Sequence, residues 1–153
     1  MLERGVCVGE VAGTSMGALV AAFIAFGKTP EEMIAFAKSI SYHRLVDVDL
    51  RLGLLRGEKI ATLLRTVFAH ARIEDAPIPL RIVATCLETS SVKVFDRGEV
   101  VEALRASFSI PGIFSPRMVN GEHCVDGGIL MNLPIQVLHG THVIAVSATK
   151  TDF

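Results

Sequence analysis

The sequence predicts an α/β fold, a three-layer α/β/α sandwich around a mostly parallel central sheet, and three observations carry that prediction. Short β-branched or apolar runs alternate with stretches of helical periodicity through most of the chain, the pattern of strand–helix–strand units. One late run, VIAV at residues 143–146, is continuously apolar, as expected of a strand covered on both faces. The third observation is size. A chain of 153 residues, half of them hydrophobic, can bury roughly 70% of the surface its unfolded form exposes. One domain spanning residues 1–153 is therefore expected, held by its core without metal or disulfide staples.

Each element has its own local reason. Val6, Val8 and Val11 lie in a β-branched run that ends at Gly13 and reads as a buried strand. A strongly apolar run over residues 16–26 follows at once and reads as a core helix. Thr29-Pro30-Glu31-Glu32 supplies an N-cap, a proline at the first helical position and a glutamate three residues after the cap. A second helix should run from residue 30 to about 40, with Met33, Ile34, Phe36, Ala37 and Ile40 on one broad face. Residues 45–52 alternate apolar and polar and read as extended. Ile60, Leu63, Leu64, Val67 and Phe68 repeat at helical spacing, so residues 58 to about 70 form an amphipathic helix. LRIVATCL and VKVF, separated by four polar residues, read as two strands joined by a tight connection, and a short helix follows around residues 100–108. Residues 109–120 carry two prolines and a glycine and read as a loop.

Composition excludes several functions. Fifteen Lys and Arg against 16 Asp and Glu leave a formal net charge of −1, which argues against a nucleic-acid partner. Cys7, Cys86 and Cys124 are odd in number and have no CxxC spacing. Neither a disulfide framework nor a zinc site is suggested, and a reducing, cytoplasmic setting is expected. No metal or organic cofactor is implied, since no ligand spacing is matched. The first ten residues lack the long apolar run of a secretory signal. The most apolar stretch, residues 16–27, falls short of the roughly 20 residues needed to cross a bilayer.

The chemistry concentrates at two places. Gly13-Thr14-Ser15-Met16-Gly17 is a G-x-S-x-G pentapeptide between an expected strand and an expected helix. A sharp turn there needs small residues at Gly13 and Gly17 and projects the Ser15 hydroxyl outward as a nucleophile. The helix behind it favours negative charge, and the Met16 N–H can face a developing oxyanion. A serine needs a base. His43, His70, His123, His139 and His142 lie in no motif that marks one, although His139 and His142 fall late in the chain, where a hydrolase triad places its histidine. Asp126, in Asp126-Gly127-Gly128, is the other candidate. Two following glycines let the backbone turn tightly and present the carboxylate. An Asp-Gly turn between strands reads equally well from these residues alone.

Taken together these segments resemble the patatin-like phospholipases, lipid acyl hydrolases with a Ser/Asp dyad. EVAGTSMGALVAA resembles the family's nucleophile elbow, RASFSIPGIFSP its Ala-Ser-x-x-x-Pro segment, and VDGGILMNLPI its Asp-Gly-Gly segment with the following Asn-x-Pro. GLLRGEKIATLL and PLRIVATCLETSSVKVF are similar to the stretches between. The resemblance covers essentially the whole chain and implies Ser15 as nucleophile and Asp126 as its base, with no histidine. Cys86 stands where such sequences often carry an acidic residue, and Met131 where they often carry Asn.

Members of that family open with a strand and a glycine-rich oxyanion loop. Only 12 residues precede Gly13, against the roughly 30 that such a unit needs. The resemblance therefore implies a domain lacking its first strand and that loop. The expected function is hydrolysis of acyl esters of phospholipids or lysophospholipids, with a lipid or other acyl-ester substrate as partner and peripheral contact with a membrane. One alternative is a catalytically impaired fragment or lipid-binding remnant. A weaker one is an α/β-hydrolase or acyl-carrier transacylase with a Ser-His pair.

Overall fold

The computed structural model describes residues 7–40, 47–49 and 54–148. Among them the order is β1 (Val11–Thr14), α1 (Met16–Ala25), α2 (Pro30–Ser39), β2 (Val48–Asp49), β3 (Leu54–Leu55), α3 (Glu58–Phe68), β4 (Leu80–Cys86), β5 (Ser91–Phe95), α4 (Val100–Phe108), β6 (Arg117–Val119) and β7 (Glu122–Asp126). The mixed α/β class is as the sequence predicts. In the main sheet β4 is central, with β1, β5 and β7 all paired to it and β6 beyond β7.

The parallel pairing expected of the sheet is met between β1 and β4, where Val11 faces Leu80 and Thr14 faces Val83. Helices α1, α2 and α3 and the β2–β3 pair lie between these strands in sequence, the long crossover that a parallel pair requires. The other pairings, β4–β5, β4–β7 and β6–β7, are antiparallel. The short connection of β4 to β5 and the Asn120-Gly121 turn between β6 and β7 account for the first and last of these. Asn120 and Gly121 both have positive φ, 52° and 85°, the backbone of a two-residue hairpin. Residues 117–119, expected in a loop, are therefore the strand β6.

Strand parity defines the two faces. Leu80, Ile82 and Ala84 of β4 point with Val11 into the main apolar cluster under α1, α3 and α4. Phe23 packs edge-on against Phe36 at 5.3 Å and tilted against Phe68 at 5.4 Å, which joins α1 to α2 and α3. Thr14, Arg81, Val83 and Thr85 point to the opposite face. Residues 127–140 cross it, tied down by Thr14 Oγ1 donating to Met131 O at 2.8 Å and by the N–H groups of His139 and Gly140 donating to Glu10. The second helical layer expected there is not among the described residues, and short 3₁₀ turns at Gly127–Ile129 and Ile135–Val137 occupy part of this stretch.

Helix ends follow local chemistry. Thr29 Oγ1 accepts from Glu32 N–H while the Glu32 carboxylate accepts from Thr29 N–H, the reciprocal cap read from the sequence. Asp47 caps α3 from outside, accepting from the N–H groups of Gly57, Glu58 and Lys59. Of the broad apolar face expected on α2, Phe36 is buried and Met33 and Ile40 are half-buried, whereas Ile34 and Ala37 are exposed. This helix rests on the core through one edge. Of the extended stretch expected at residues 45–52, Val48–Asp49 pairs with Leu54–Leu55 and most of the rest lies outside the described residues, as does Val6. The predicted strand at residues 143–146 does not form. Val143, Ile144 and Val146 are exposed, with no neighbouring strand among the described residues to complete a ladder.

Candidate active site

The turn from β1 into α1 is strained. Ser15 sits at φ 53° and ψ −126° as the N-cap of α1, a conformation that costs a non-glycine residue about 1–3 kcal/mol and persists only where the surroundings impose it. Gly13 explains part of that constraint. A Cβ there would lie 2.2 Å from Gly17 O and 2.5 Å from Ala18 N, so the strand passes against the helix backbone where only glycine fits. The matching expectation for Gly17 fails, because a Cβ at Gly17 meets nothing within 4 Å. Space does not require that glycine.

Hydrogen bonds hold the Ser15 main chain on both sides. Its carbonyl accepts from the N–H groups of Ala18 and Leu19, which starts the helix. Its own N–H donates to Ser107 Oγ at 2.7 Å, and Ser107 Oγ in turn donates to Val83 O at 2.6 Å. Met16 is exposed. As the first helical residue, its N–H has no carbonyl within the helix to bond.

Asp126 ends β7 and is buried, 8% exposed. Its Oδ1 accepts from Gly128 N–H at 2.6 Å, which orients the carboxylate, and its N–H donates to Ser109 O at 2.9 Å. Main-chain atoms exclude a side chain at the first glycine that follows, and the Asp126 carboxylate itself crowds the second. A Cβ at Gly127 would lie 2.5 Å from Val83 O and 2.9 Å from Thr14 Cγ2, and one at Gly128 would lie 2.8 Å from Asp126 Oδ1. Asp126 does follow a strand, as an Asp-Gly turn would, but its turn opens a 3₁₀ segment laid over the elbow.

These contacts join the two motifs. Thr14 touches Gly127 and bonds Met131 O. Met131 contributes a main-chain carbonyl here, so its departure from Asn leaves this contact intact. Thr14 is paired with Val83 and Asp126 with Ala84, and because β5 fills the other edge of β4 along residues 82–86, β1 and β7 end against each other on one edge, which brings the elbow and the carboxylate turn side by side.

The histidines lead elsewhere. His123 Nδ1 lies 2.7 Å from Glu88 and His70 Nδ1 lies 3.5 Å from Glu99, while His142 contacts Thr141. His139 is anchored through its N–H to Glu10, at the opposite end of β1 from Ser15. The four residues of β1 separate Glu10 from Ser15, a span of about 16 Å. His43 lies outside the described residues.

Beside Ser109 opens a cleft of about 190 Å³ lined by Phe108, Phe114, Arg56, Arg105 and Arg117 among others. Arg105, its side chain 5% exposed, pairs with Glu58 and Glu102, and Glu102 also binds Arg117. Ile110 and Ile113, on the loop between these phenylalanines, are exposed, as are Ile129 and Leu130 after Asp126. No helix of the described residues is long and apolar enough to cross a membrane, and no group of three or more potential metal ligands occurs among them.

Ser107, the serine of the Ala-Ser-x-x-x-Pro segment, is the site residue to which the sequence reading gave no role. Its signal was a serine inside the short apolar helix VVEALRASF, where only burial with a partner would keep a hydroxyl.

A family model described as patatin-like phospholipase matches residues 1–139. An uncharacterized NTE family protein of Mycobacterium tuberculosis is 40% identical over 157 positions, covering 98% of this chain and 43% of the relative. Lysophospholipase NTE1 of Candida albicans is 29% identical, covering 99% of this chain and 12% of the relative. Among solved structures, VipD from Legionella pneumophila superposes with a TM-score of 0.68 at 15% identity, covering 90% of this chain and 44% of the other, a likeness of fold. The chain thus spans less than half the length of these relatives.

Proposed function

Because the chain belongs to the patatin-like phospholipase family, we propose that it is a serine acyl hydrolase that cleaves acyl esters of phospholipids or lysophospholipids through Ser15 and Asp126. The observation that carries this reading is the junction of the two motifs, in which Thr14 of the elbow bonds Met131 and packs on Gly127 of the carboxylate turn.

In this mechanism Asp126 takes the hydroxyl proton as Ser15 Oγ attacks the ester carbonyl carbon. The carbonyl oxygen becomes an oxyanion facing the Met16 N–H and the positive end of α1; a single such donor is worth about 10²–10³ in rate. The bond to the leaving alcohol breaks, the alcohol departs with the proton held by Asp126, and acyl-Ser15 remains. Water then gives a proton to Asp126 and attacks the acyl carbon, the bond from that carbon to Ser15 Oγ breaks, and Asp126 returns the proton to Oγ as the carboxylic acid leaves. No histidine is needed. The exposed apolar residues Met16, Ile110, Ile113, Ile129 and Leu130, on the segments that flank the dyad, suit a lipid substrate and peripheral contact with a membrane surface.

Fluorophosphonate labelling combined with hydrolysis of a lysophospholipid tests the proposal. Labelling at Ser15 is expected, with both signals lost in Ser15→Ala and hydrolysis lost in Asp126→Asn. Hydrolysis at the native rate by Ser15→Ala would refute it.

A further inference from the structure

The proposed mechanism assigns nothing to Ser107, yet that residue is 0% exposed and bridges the nucleophile to the sheet. We infer that Ser107 is the positioning residue of the nucleophile: its hydroxyl holds the Ser15 backbone N–H against Val83 and so fixes where Ser15 Oγ points relative to Asp126. The inference rests on Ser15 being the nucleophile.

The polarity of the bridge admits one arrangement. Val83 O can only accept and Ser15 N–H can only donate, so the Ser107 proton is committed to Val83 and a lone pair to Ser15. The bond acts at the amide that precedes the strained φ of 53° at Ser15, where a restraint has most leverage on side-chain direction. A serine with only a helix-end role bonds a carbonyl one turn back, as Ser109 Oγ does with Arg105 O at 2.8 Å. Ser107 instead reaches a strand and an elbow remote in sequence.

The same turn of chain holds the other partner. Ser109 O accepts from Asp126 N–H at 2.9 Å, so residues 107–109 grip the main chain at both Ser15 and Asp126. Val83 is the register partner of Thr14, and the adjacent Ala84 is that of Asp126. The separation of nucleophile and base is thereby referred to one rigid strand. A chemical consequence follows. With its N–H spent on Ser107, Ser15 has no amide to offer an oxyanion, and within the elbow that task falls to Met16.

The test compares Ser107→Ala, Ser107→Cys and Ala103→Gly in the full chain, by thermal unfolding, by the rate of fluorophosphonate labelling at Ser15 and by kcat and KM for lysophospholipid hydrolysis. The cysteine keeps the volume but is a weak acceptor. Ala103→Gly weakens α4 without touching the bridge. Ser107→Ala and Ser107→Cys should both label about 10- to 100-fold more slowly, with kcat reduced alike and KM near native, since small misplacements of reacting groups cost rate on that scale. Ala103→Gly should label at the native rate despite its lower melting temperature. Native labelling by Ser107→Ala, native rates restored by Ser107→Cys, or equal slowing by Ala103→Gly would overturn the inference. Should Ser15→Ala remain active, the nucleophile assignment fails; should it be inert while Ser107→Ala keeps its rate, the positioning role alone fails.

Discussion

Gly13→Ala separates a required elbow glycine from an incidental one, because the structure sizes the collision. The new methyl would sit 2.2 Å from Gly17 O, 2.3 Å from Gly17 C and 2.5 Å from Ala18 N. All three are main-chain atoms of α1, so no side-chain rotation makes room. Comfortable contact begins at roughly 3.5 Å, so strand and helix must part by about 1 Å. Overpacking of this kind costs about 1–3 kcal/mol. The same displacement carries Ser15 with it, and a shift of about 1 Å in a reacting group lowers rates by about 10²-fold. Gly17→Ala is the internal contrast. Its Cβ meets nothing within 4 Å, and alanine within a helix is favoured over glycine by about 0.5–1 kcal/mol. Urea unfolding and fluorophosphonate labelling should show Gly13→Ala destabilised and about 10²-fold slower, with Gly17→Ala as stable or more so and near the native rate. Equal losses in the two variants, or native labelling by Gly13→Ala, would refute the steric argument.

Three further outcomes are expected. Ser15→Gly should abolish labelling yet raise thermal stability by about 1 kcal/mol, since glycine relieves the strained backbone; a lowered melting temperature would count against stored strain. Burial alone would raise the Glu102 carboxyl, but hydrogen bonding and charge from Arg117, with the charge of Arg105, hold it below its ordinary value of 4.5. Its ionised form therefore contributes stability that is present above that value and lost as pH falls through the lowered one, so native protein should lose more stability than Glu102→Gln between about pH 5 and pH 3, read from urea midpoints. Burial, reinforced by Cys86, pushes the Cys124 thiol up to about 11, and because the thiolate is the reactive form, iodoacetamide should modify exposed Cys7 while sparing Cys124 until the protein unfolds. Mass spectrometry of the native protein checks this, and equal modification of the two would contradict it.

What the sequence made legible is what local chemistry dictates. The Thr29–Glu32 cap needs only residues within one turn, and the α3 periodicity from Ile60 to Phe68 needs only one helix; both appear as read. Strands depend on partners, and there the reading faltered. Residues 143–146 have an ideal strand composition but no ladder among the described residues, whereas the three residues of β6 become a strand because Asn120-Gly121 folds them back on β7. That dipeptide was the available signal, hidden by the prolines nearby.

The candidate site divides along a related line. Ser15 could be named because its pentapeptide marks a nucleophile turn, whereas Asp126 read equally well as an Asp-Gly turn and gained its role only from the family resemblance. The pattern alone does not say why each glycine is there: Gly13 and Gly127 are excluded from growth by main-chain atoms, Gly128 by the Asp126 carboxylate, and Gly17 by nothing within 4 Å. Ser107 was harder still, because it contributes a bond to the backbone of Ser15, and no spacing in the sequence encodes a bond that exists only once β1, β4 and α4 have met. The side chains that would perform the chemistry are thus written locally, while the geometry that would make them react is a property of the register of β4 with its two neighbours. Substitutions that shift this register should cost activity before they cost the fold.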